Sequence, residues 1–275
     1  MIPVGLHLMQ DARRDDAPGR SAVAMTTPDM RLSAVTMCRT DAEIGAAIGD
    51  APALVLMDAP AVVPDVRGRR DAEHVLAWLD IPAFPVTPAR MGSVHGGTRG
   101  AGIAAALTAR GHVVAEALPD QVLRQLMWEQ KRPPATAPMD LAAYRAEWLG
   151  VRAPAYRPRG GRARPDGLAP ARGILQAVVG AANWPPATRD GDLAALDEAA
   201  VIDAVACGVA AARCLHGPDD SWAMLGDAAA GRVVLAAGPE MIDRARVNVT
   251  RLRDEGTIGI TPEVAAPALG PPQSW

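Results

Sequence analysis

The stretch PALVLMDAP at residues 52–60 decides the fold of this chain. Its apolar residues continue without a break as far as Asp58, and Pro60 follows. A run of this kind is typical of a central strand covered on both faces. A carboxylate at its end is costly to bury unless it is paired or binds a metal, and open sheets place ligands at such strand ends. Asp58 is therefore the first candidate for a functional residue, the alternative being a cap of the following helix.

Before this strand, the sequence predicts three short antiparallel strands. Apolar runs at residues 2–9, 20–26 and 31–38 are separated by Asp, Pro and Gly, which is the pattern of a meander. A helix over residues 41–48 follows, with Thr40 as its N-cap.

After this strand, helical and strand patterns alternate along the chain. The predicted helices cover residues 70–78, 100–110, 120–130, 174–182 and 192–215, and the predicted strands cover residues 112–117 and 231–236. Three antiparallel strands followed by alternating strands and helices indicate an α/β fold, with a mixed sheet flanked by helices.

Residues 151–172 differ in composition from the rest of the chain. They contain six arginines against one aspartate, with Pro and Gly throughout, which favours a loop or insertion over a packed element. We therefore expect a single domain over residues 1–239 that carries this insertion. Residues 240–275 would add a C-terminal helix, predicted at the surface over 240–254, and a Pro-rich tail.

The overall composition excludes several classes of protein. The chain has 275 residues, of which 49% are hydrophobic and 21% charged, so it is not wholly disordered, collagen-like or a coiled coil. Its net charge of −3 gives no overall field for nucleic acid, so such binding would need a local patch. Three cysteines without metal-type spacing predict no disulfide framework. The sequence has no signal-peptide pattern and no run near the ~18 apolar residues of a membrane span. It therefore predicts a soluble, cytoplasmic protein without membrane contact. The sequence does not indicate an oligomeric state.

A set of short motifs occurs in a characteristic order. In chain order they are Asp58-Ala59-Pro60; Val63-Pro64-Asp65 with Gly68, Arg70 and Glu73; Phe84-Pro85; Glu116 with Pro119; Asp203-Ala204; and Leu225-Gly226-Asp227 with Gly231. Over residues 4–236 this set resembles the "domain of unknown function 429" family of predicted RNase H-like nucleases. The resemblance implies an RNase H-like mixed sheet, with three antiparallel strands first and parallel strands after them.

The resemblance also implies a metal-dependent chemistry. Carboxylates at neighbouring strand ends and on a late helix would hold one or two Mg²⁺ or Mn²⁺ ions, which bridge a phosphate oxygen and activate water. The implied metal ligands are Asp58 and Asp203. Asp203 lies in an apolar helical run, where a charge needs a partner, although a surface position or an ion pair with an arginine would also explain it. Glu116 is an auxiliary catalytic candidate or a carboxylate favoured by the start of a helix.

The first strand departs from the family pattern. Relatives carry an acid where this chain has His7, in Gly5-Leu6-His7-Leu8. Histidine binds transition metals but is a poor ligand for Mg²⁺. Three interpretations stay open: His7 is a ligand or general base beside Asp58 and Asp203, the nuclease chemistry is lost, or His7 is a core histidine bonded to a carbonyl group.

Two further segments supply candidates for substrate binding. Arg70 and Glu73 are one helical turn apart, which predicts an ion pair within the helix, although the resemblance places Arg70 in the cleft, where it could bind a phosphate or carboxylate. The glycine-rich residues 88–100 predict an active-site flap or a plain surface loop. The substrate-binding candidates are Arg70, Glu73, Arg90, His95 and Arg99.

Together these observations predict a divalent-metal-dependent phosphodiester hydrolase, a nuclease acting on nucleic acid or a nucleotide. Asp58 and Asp203 would hold Mg²⁺ or Mn²⁺, and Arg70 or the arginines of residues 151–172 would bind phosphate. One alternative is a catalytically degraded RNase H-like protein that serves as a binding module. Another is a small-molecule enzyme that uses His7 or His95 as acid or base in the same cleft. Motifs of serine hydrolases, zinc peptidases and Rossmann dehydrogenases are absent.

Overall fold

Three antiparallel strands at the start of the chain form one side of a seven-stranded sheet. The computed structural model describes residues 1–9, 20–65, 68–94, 97–132, 139–157 and 164–258. The strands are β1 (Ile2–His7), β2 (Ser21–Thr26), β3 (Leu32–Cys38), β4 (Ala53–Met57), β5 (Val113–Ala117), β6 (Trp222–Asp227) and β7 (Gly231–Ala236). The helices are α1 (Asp41–Ile48), α2 (Asp71–Trp78), α3 (Pro88–Val94), α4 (Arg99–Ala109), α5 (Pro119–Lys131), α6 (Leu141–Gly150), α7 (Pro165–Val179), α8 (Gly191–His216) and α9 (Pro239–Asp254).

The strand order is β3-β2-β1-β4-β5-β7-β6. The first three strands pair antiparallel, β1, β4, β5 and β7 run parallel, and β6 pairs antiparallel to β7 at the other edge. The predicted α/β fold with a mixed sheet, antiparallel strands first, is confirmed. All five residues of β4 are buried in the centre of this sheet, as an unbroken apolar run predicts.

Helices cover both faces of the sheet, and β4 supplies side chains to both cores. Leu54 and Leu56 pack into one core with residues of α5, α7 and α8. Val55 and Met57 pack into a second core with residues of α1 and α4. A third core joins β6 and β7 to α2, α6 and α9. Successive strand residues point to opposite faces, so one apolar strand organises two layers of helices.

The 26-residue helix α8 crosses β1 at very short range. A Cβ atom at Gly5 would overlap the backbone carbonyl oxygen of Ala204 and the backbone amide nitrogen of Gly208. Glycine at position 5 therefore permits the approach of the two backbones. This contact sets Asp203, on the same helix, beside the end of β1.

The prediction that residues 151–172 are a loop was wrong for their second half. The helix α7 begins at Pro165, a position where the missing proline N–H costs nothing. Leu168, Ala171 and Leu175 are buried along one face of this helix. The arginine and proline residues between them hide this helical spacing in the sequence. Tyr156, before the helix, is also buried.

Other elements also differ from expectation. In the segment 88–100, predicted as a loop, residues 88–94 form α3 and Arg99 begins α4. The strand β6 and the helix α6 were not predicted. The helix α9 buries an apolar face that includes Met241, Ala245 and Val249. Across the described ranges, no helix has the length and apolar character that crossing a bilayer requires; the predicted tail from residue 262 lies outside those ranges.

Candidate metal centre

Three elements bring His7, Asp58 and Asp203 together. In the parallel ladder between β1 and β4, Leu6 is opposite Met57, so His7 and Asp58 are the next residues along the two neighbouring strands. The helix α8 supplies Asp203 above them. One potential ligand atom from each residue lies within 4.8 Å of the other two. Two of the three, Asp58 and Asp203, are the metal ligands that the family resemblance implies.

His7 lies between the two carboxylates. Its Nδ1 atom is 2.6 Å from Oδ2 of Asp58 and 3.3 Å from Oδ2 of Asp203. The backbone N–H of Leu8 donates a hydrogen bond of 2.9 Å to the other oxygen of Asp58. The Asp58 carboxylate is therefore oriented by both the backbone and the side chain of the first strand.

Asp203 has further partners on the segment that precedes α7. The hydroxyl of Tyr156 donates to Oδ1 of Asp203. The Nε–H of Arg157 lies 3.1 Å from each carboxylate oxygen, and its Nη2 lies 3.0 Å from Oδ1. Asp203 is only 2% exposed. A buried carboxylate with these partners has its charge balanced and its acceptor capacity largely used.

The electrostatics of the cluster keep His7 protonated at neutral pH. Burial would lower the pKa of His7, but Asp58 and Asp203 more than offset it and raise that pKa to about 10. Burial would raise the pKa of Asp203, but Arg157 and His7 lower it to about 2. Burial, together with Asp203, raises the pKa of Tyr156 well above its ordinary value. His7 therefore carries a positive charge at neutral pH beside the Asp203 carboxylate.

The cluster could hold a metal ion, and its donor set narrows the choice. One imidazole nitrogen and two carboxylates suit a transition dication such as Mn²⁺ better than Mg²⁺, which prefers oxygen ligands alone. Loss of the His7 proton leaves two negative charges to match such an ion. Arg157 is the opposing feature, because its guanidinium already occupies the Asp203 carboxylate.

A cavity of about 560 Å³ opens beside the cluster. Asp58 and Arg157 line it where it meets the cluster. Arg157 also approaches Asp120, the second residue of α5, with 3.6 Å between Nη1 and Oδ2. A volume of this size is in the range of small-molecule and cofactor sites.

Glu116 belongs to a different ion-pair network. It accepts hydrogen bonds of 2.7 and 2.8 Å from the two terminal nitrogens of Arg70, and one of 3.1 Å from the backbone N–H of Ala61. The Nε–H of Arg70 donates to Glu73 over 2.7 Å. All three charged side chains are buried. The ion pair between Arg70 and Glu73 is present, with Glu116 as a third member; among the described residues, the metal-type cluster does not include Glu116.

Of the remaining substrate-binding candidates, Arg90 lies on α3 and Arg99 begins α4. The guanidinium of Arg90 lies over the ring of Phe84, 5.3 Å from its centre. Arg99 donates to the Asp41 carboxylate over 3.0 Å. His95 falls outside the described residues. The described contacts of Arg90 and Arg99 link them to these neighbours; a role in binding substrate stays a prediction for both.

Sequence reasoning missed the contribution of Tyr156. The arginines around it were expected to contact phosphate as a group, without a partner for any one of them. The available signal was a lone aromatic residue in a segment rich in Arg, Pro and Gly, in a chain with only two tyrosines. Its partner Asp203 is 47 residues away, so no local periodicity reports the contact.

Comparisons of this chain with protein families, curated proteins and solved structures found no match. The geometry of the cluster and of its cavity is therefore the basis for assigning a function. Residues His7, Asp58 and Asp203 are called the triad below.

Proposed function

We propose that this chain is a divalent-metal-dependent phosphodiester hydrolase of RNase H-like architecture, acting on nucleic acid or a nucleotide. The observation that carries the proposal is the triad, whose donor atoms lie within 4.8 Å of one another. His7 and Asp58 lie at the ends of two parallel strands, where open sheets bind ligands, and Asp58 also lines the cavity.

The architecture supports the resemblance to the "domain of unknown function 429" family. That resemblance implies three antiparallel strands, then parallel ones, and an acid on a late helix beside the strand ends. The sheet has this arrangement of strands, and α8 carries Asp203 next to Asp58 and His7. We infer an RNase H-like nuclease fold from this agreement.

In this proposal the triad holds one ion, with Mn²⁺ preferred over Mg²⁺ because His7 is a nitrogen ligand. Such an ion, when bound, neutralises phosphate charge and activates water for hydrolysis. Leu8 keeps the Asp58 carboxylate oriented through its backbone N–H. Arg157 faces both Asp203 and the cavity, so its guanidinium is placed to bind a phosphate oxygen.

Hydrolysis of bis(p-nitrophenyl) phosphate tests the proposal. We expect activity in Mn²⁺ that falls by more than about 100-fold in Asp58→Asn, because the variant loses a charged ligand. Asp219→Asn, at an exposed position, is the matched control and should retain full activity. Equal activity in Asp58→Asn, or no activity of the wild type with Mn²⁺, Mg²⁺ or Zn²⁺, contradicts the proposal.

A second candidate is a binding module without catalysis, and one observation favours it. Asp203 already accepts hydrogen bonds from Tyr156 and Arg157 and lies 3.3 Å from His7. If these contacts persist under all conditions, the carboxylate is not available to an ion. The module would then bind its ligand in the cavity without metal, a state that a metal titration distinguishes from the hydrolase.

A further inference from the structure

In the described part of the chain, three of the arginines that line the cavity beside the triad have no carboxylate partner. Arg124, Arg152 and Arg164 line it, and within the described ranges none of the three forms an ion pair with a carboxylate. Arg124 donates instead to the backbone carbonyl oxygens of Asp80, over 3.1 Å, and of Trp148. Burial and the nearby charge of Arg152 lower the pKa of Arg124. An anionic ligand would give these three guanidinium groups a partner of opposite charge.

The same cavity has a large apolar wall. Ile81, Phe84, Leu118 and Val151 are among its lining residues. An apolar wall with a few polar groups is typical of a site for a small organic molecule. Its ligand therefore combines a negative charge with an organic body that buries apolar surface.

Two of the buried polar side chains on α5 both line the cavity and lack a full set of hydrogen-bond partners. The Oε1 atom of Gln121 and the Nε atom of Arg124 have no hydrogen-bond partner among the described residues. Gln121 is 3% exposed and Arg124 is 8% exposed, and both line the cavity. Buried polar groups are normally bonded, so this side of α5 carries one acceptor atom and one donor atom without a partner in the described part of the chain.

The helix α5 carries residues of two parts of the cavity: the part next to the triad, and the part with the unbonded polar atoms. Asp120, in its first turn, lies 3.6 Å from Arg157, next to the triad. Arg124 comes four residues later, which is about 6 Å along a helix axis. The helix α5 therefore carries, within about 6 Å along its axis, both a residue beside Arg157 and the two cavity-lining side chains that have an unbonded polar atom.

We propose that this cavity binds a mononucleotide, with its phosphate on Arg152, Arg157 and Arg164 and its base at Gln121 and Arg124. A nucleobase supplies a flat body and an edge with neighbouring donors and acceptors. The role of the ligand as substrate rests on the proposed function, but the binding itself does not. A nucleotide-sized ligand, rather than a long polymer, is therefore the class that this site selects.

Calorimetric titration of the full chain in EDTA tests the ligand class without any metal. The probes are the four 5′-ribonucleoside monophosphates, their nucleosides, ribose 5-phosphate, inorganic phosphate and a twelve-nucleotide single strand. We expect at least one monophosphate to bind about tenfold or more tightly than its nucleoside and than ribose 5-phosphate. Equal binding of nucleotide and ribose 5-phosphate, binding of the oligonucleotide alone, or no binding of any probe overturns the proposal.

Two variants separate the phosphate from the base. Arg152→Gln, at an exposed position, should weaken nucleotide and ribose 5-phosphate by about fivefold or more and leave nucleosides unchanged. Gln121→Met should weaken the nucleotide about tenfold and leave ribose 5-phosphate unchanged, with circular dichroism to check that it folds. Arg246→Gln, on the surface of α9 and paired with Asp243, is the control. If both cavity variants bind every probe as tightly as the wild type does, the assignment of the phosphate and base positions is overturned.

The outcome also separates this proposal from the hydrolase. Nucleotide binding in EDTA without any Mn²⁺-dependent hydrolysis would support the ligand class and remove the catalytic function. Mn²⁺-dependent hydrolysis of bis(p-nitrophenyl) phosphate without mononucleotide binding would support the catalytic function and overturn the proposed ligand class.

Discussion

In the proposed metal centre, Arg157 and the metal ion would compete for the Asp203 carboxylate. The guanidinium contacts both oxygens of Asp203, and Asp203 is also a member of the triad. Because the same carboxylate cannot fully serve both partners, release of Arg157 from Asp203 and binding of a metal ion to Asp203 are coupled equilibria. An anionic ligand that draws Arg157 toward the cavity would therefore also favour metal binding.

This competition predicts that Arg157→Gln binds Mn²⁺ more tightly than the wild type. We expect a gain of about tenfold, which corresponds to loss of a charge-assisted hydrogen bond of about 1.4 kcal/mol. Calorimetric titration with Mn²⁺ at pH 7 measures it. Arg152→Gln, which lines the same cavity without contacting Asp203 in the described structure, is the control. Unchanged or weaker binding in Arg157→Gln would show that the two do not compete.

At the scale of elements, the contact between β1 and α8 sets the position of Asp203. The only residue type that fits at position 5 without moving the helix is glycine, because any Cβ would meet backbone atoms of Ala204 and Gly208. Backbone atoms within a helix have little freedom to shift. The geometry of the triad therefore depends on this packing.

We predict that Gly5→Ala destabilises the protein by about 3 kcal/mol or more, as overpacking of a core does. Gly102→Ala is the matched control, since a Cβ at Gly102 in α4 meets no atom within 4 Å. This control should be neutral or more stable by about 0.5–1 kcal/mol, because alanine favours the helix. Urea unfolding measures both. A Gly5→Ala variant as stable as its control would refute the packing argument.

Asp80, just after the end of α2, connects that helix with α6 and α9. The Asp80 carboxylate accepts hydrogen bonds of 2.9 and 3.1 Å from Arg145 of α6. It also accepts a hydrogen bond from Arg244 of α9. Arg145 and Arg244 together outweigh the effect of burial and lower the pKa of Asp80 to about 2. Asp80 has a positive φ of 58°, which asparagine also tolerates.

Asp80→Asn should lower the free energy of unfolding by about 1–2 kcal/mol at pH 7. Because the pKa of Asp80 is lower in the folded state than in the unfolded state, its stabilisation is present above about pH 4. It is lost as the pH falls toward 2. Urea unfolding of wild type and variant between pH 7 and pH 3 measures the difference, which should shrink on acidification. A difference that stays constant with pH would contradict the role of the charge.

The parts of the fold that the sequence predicts are those with a local pattern of apolar residues. The strands β1 and β4 and the helix α8 are largely apolar runs that the local sequence predicts, and their packing brings His7, Asp58 and Asp203 together. The helix α7 was missed because arginines and prolines interrupt its apolar spacing. The partners of Asp203 could not be predicted, since Tyr156 and Arg157 contact it across 46–47 residues.

At the scale of the whole molecule, the distribution of charge matters more than the total. The chain has a net charge of −3, yet Arg124, Arg152 and Arg164 line one cavity without carboxylate partners in the described ranges. Local potential in a cleft is set by the groups around it, with low-dielectric walls focusing the field. A near-neutral protein can thus select an anionic ligand at one site.

The measurement that tests the central claim most directly is a calorimetric titration with Mn²⁺ and Mg²⁺. It compares the wild type with Asp58→Asn and with the surface control Asp219→Asn. We predict one Mn²⁺ per chain with a Kd below about 1 mM, Mg²⁺ at least about tenfold weaker because His7 is a nitrogen ligand, and no binding to Asp58→Asn. Absence of Mn²⁺ binding to the wild type, even with nucleotide added, or equal binding to Asp58→Asn, would contradict the assignment of the triad as a metal centre.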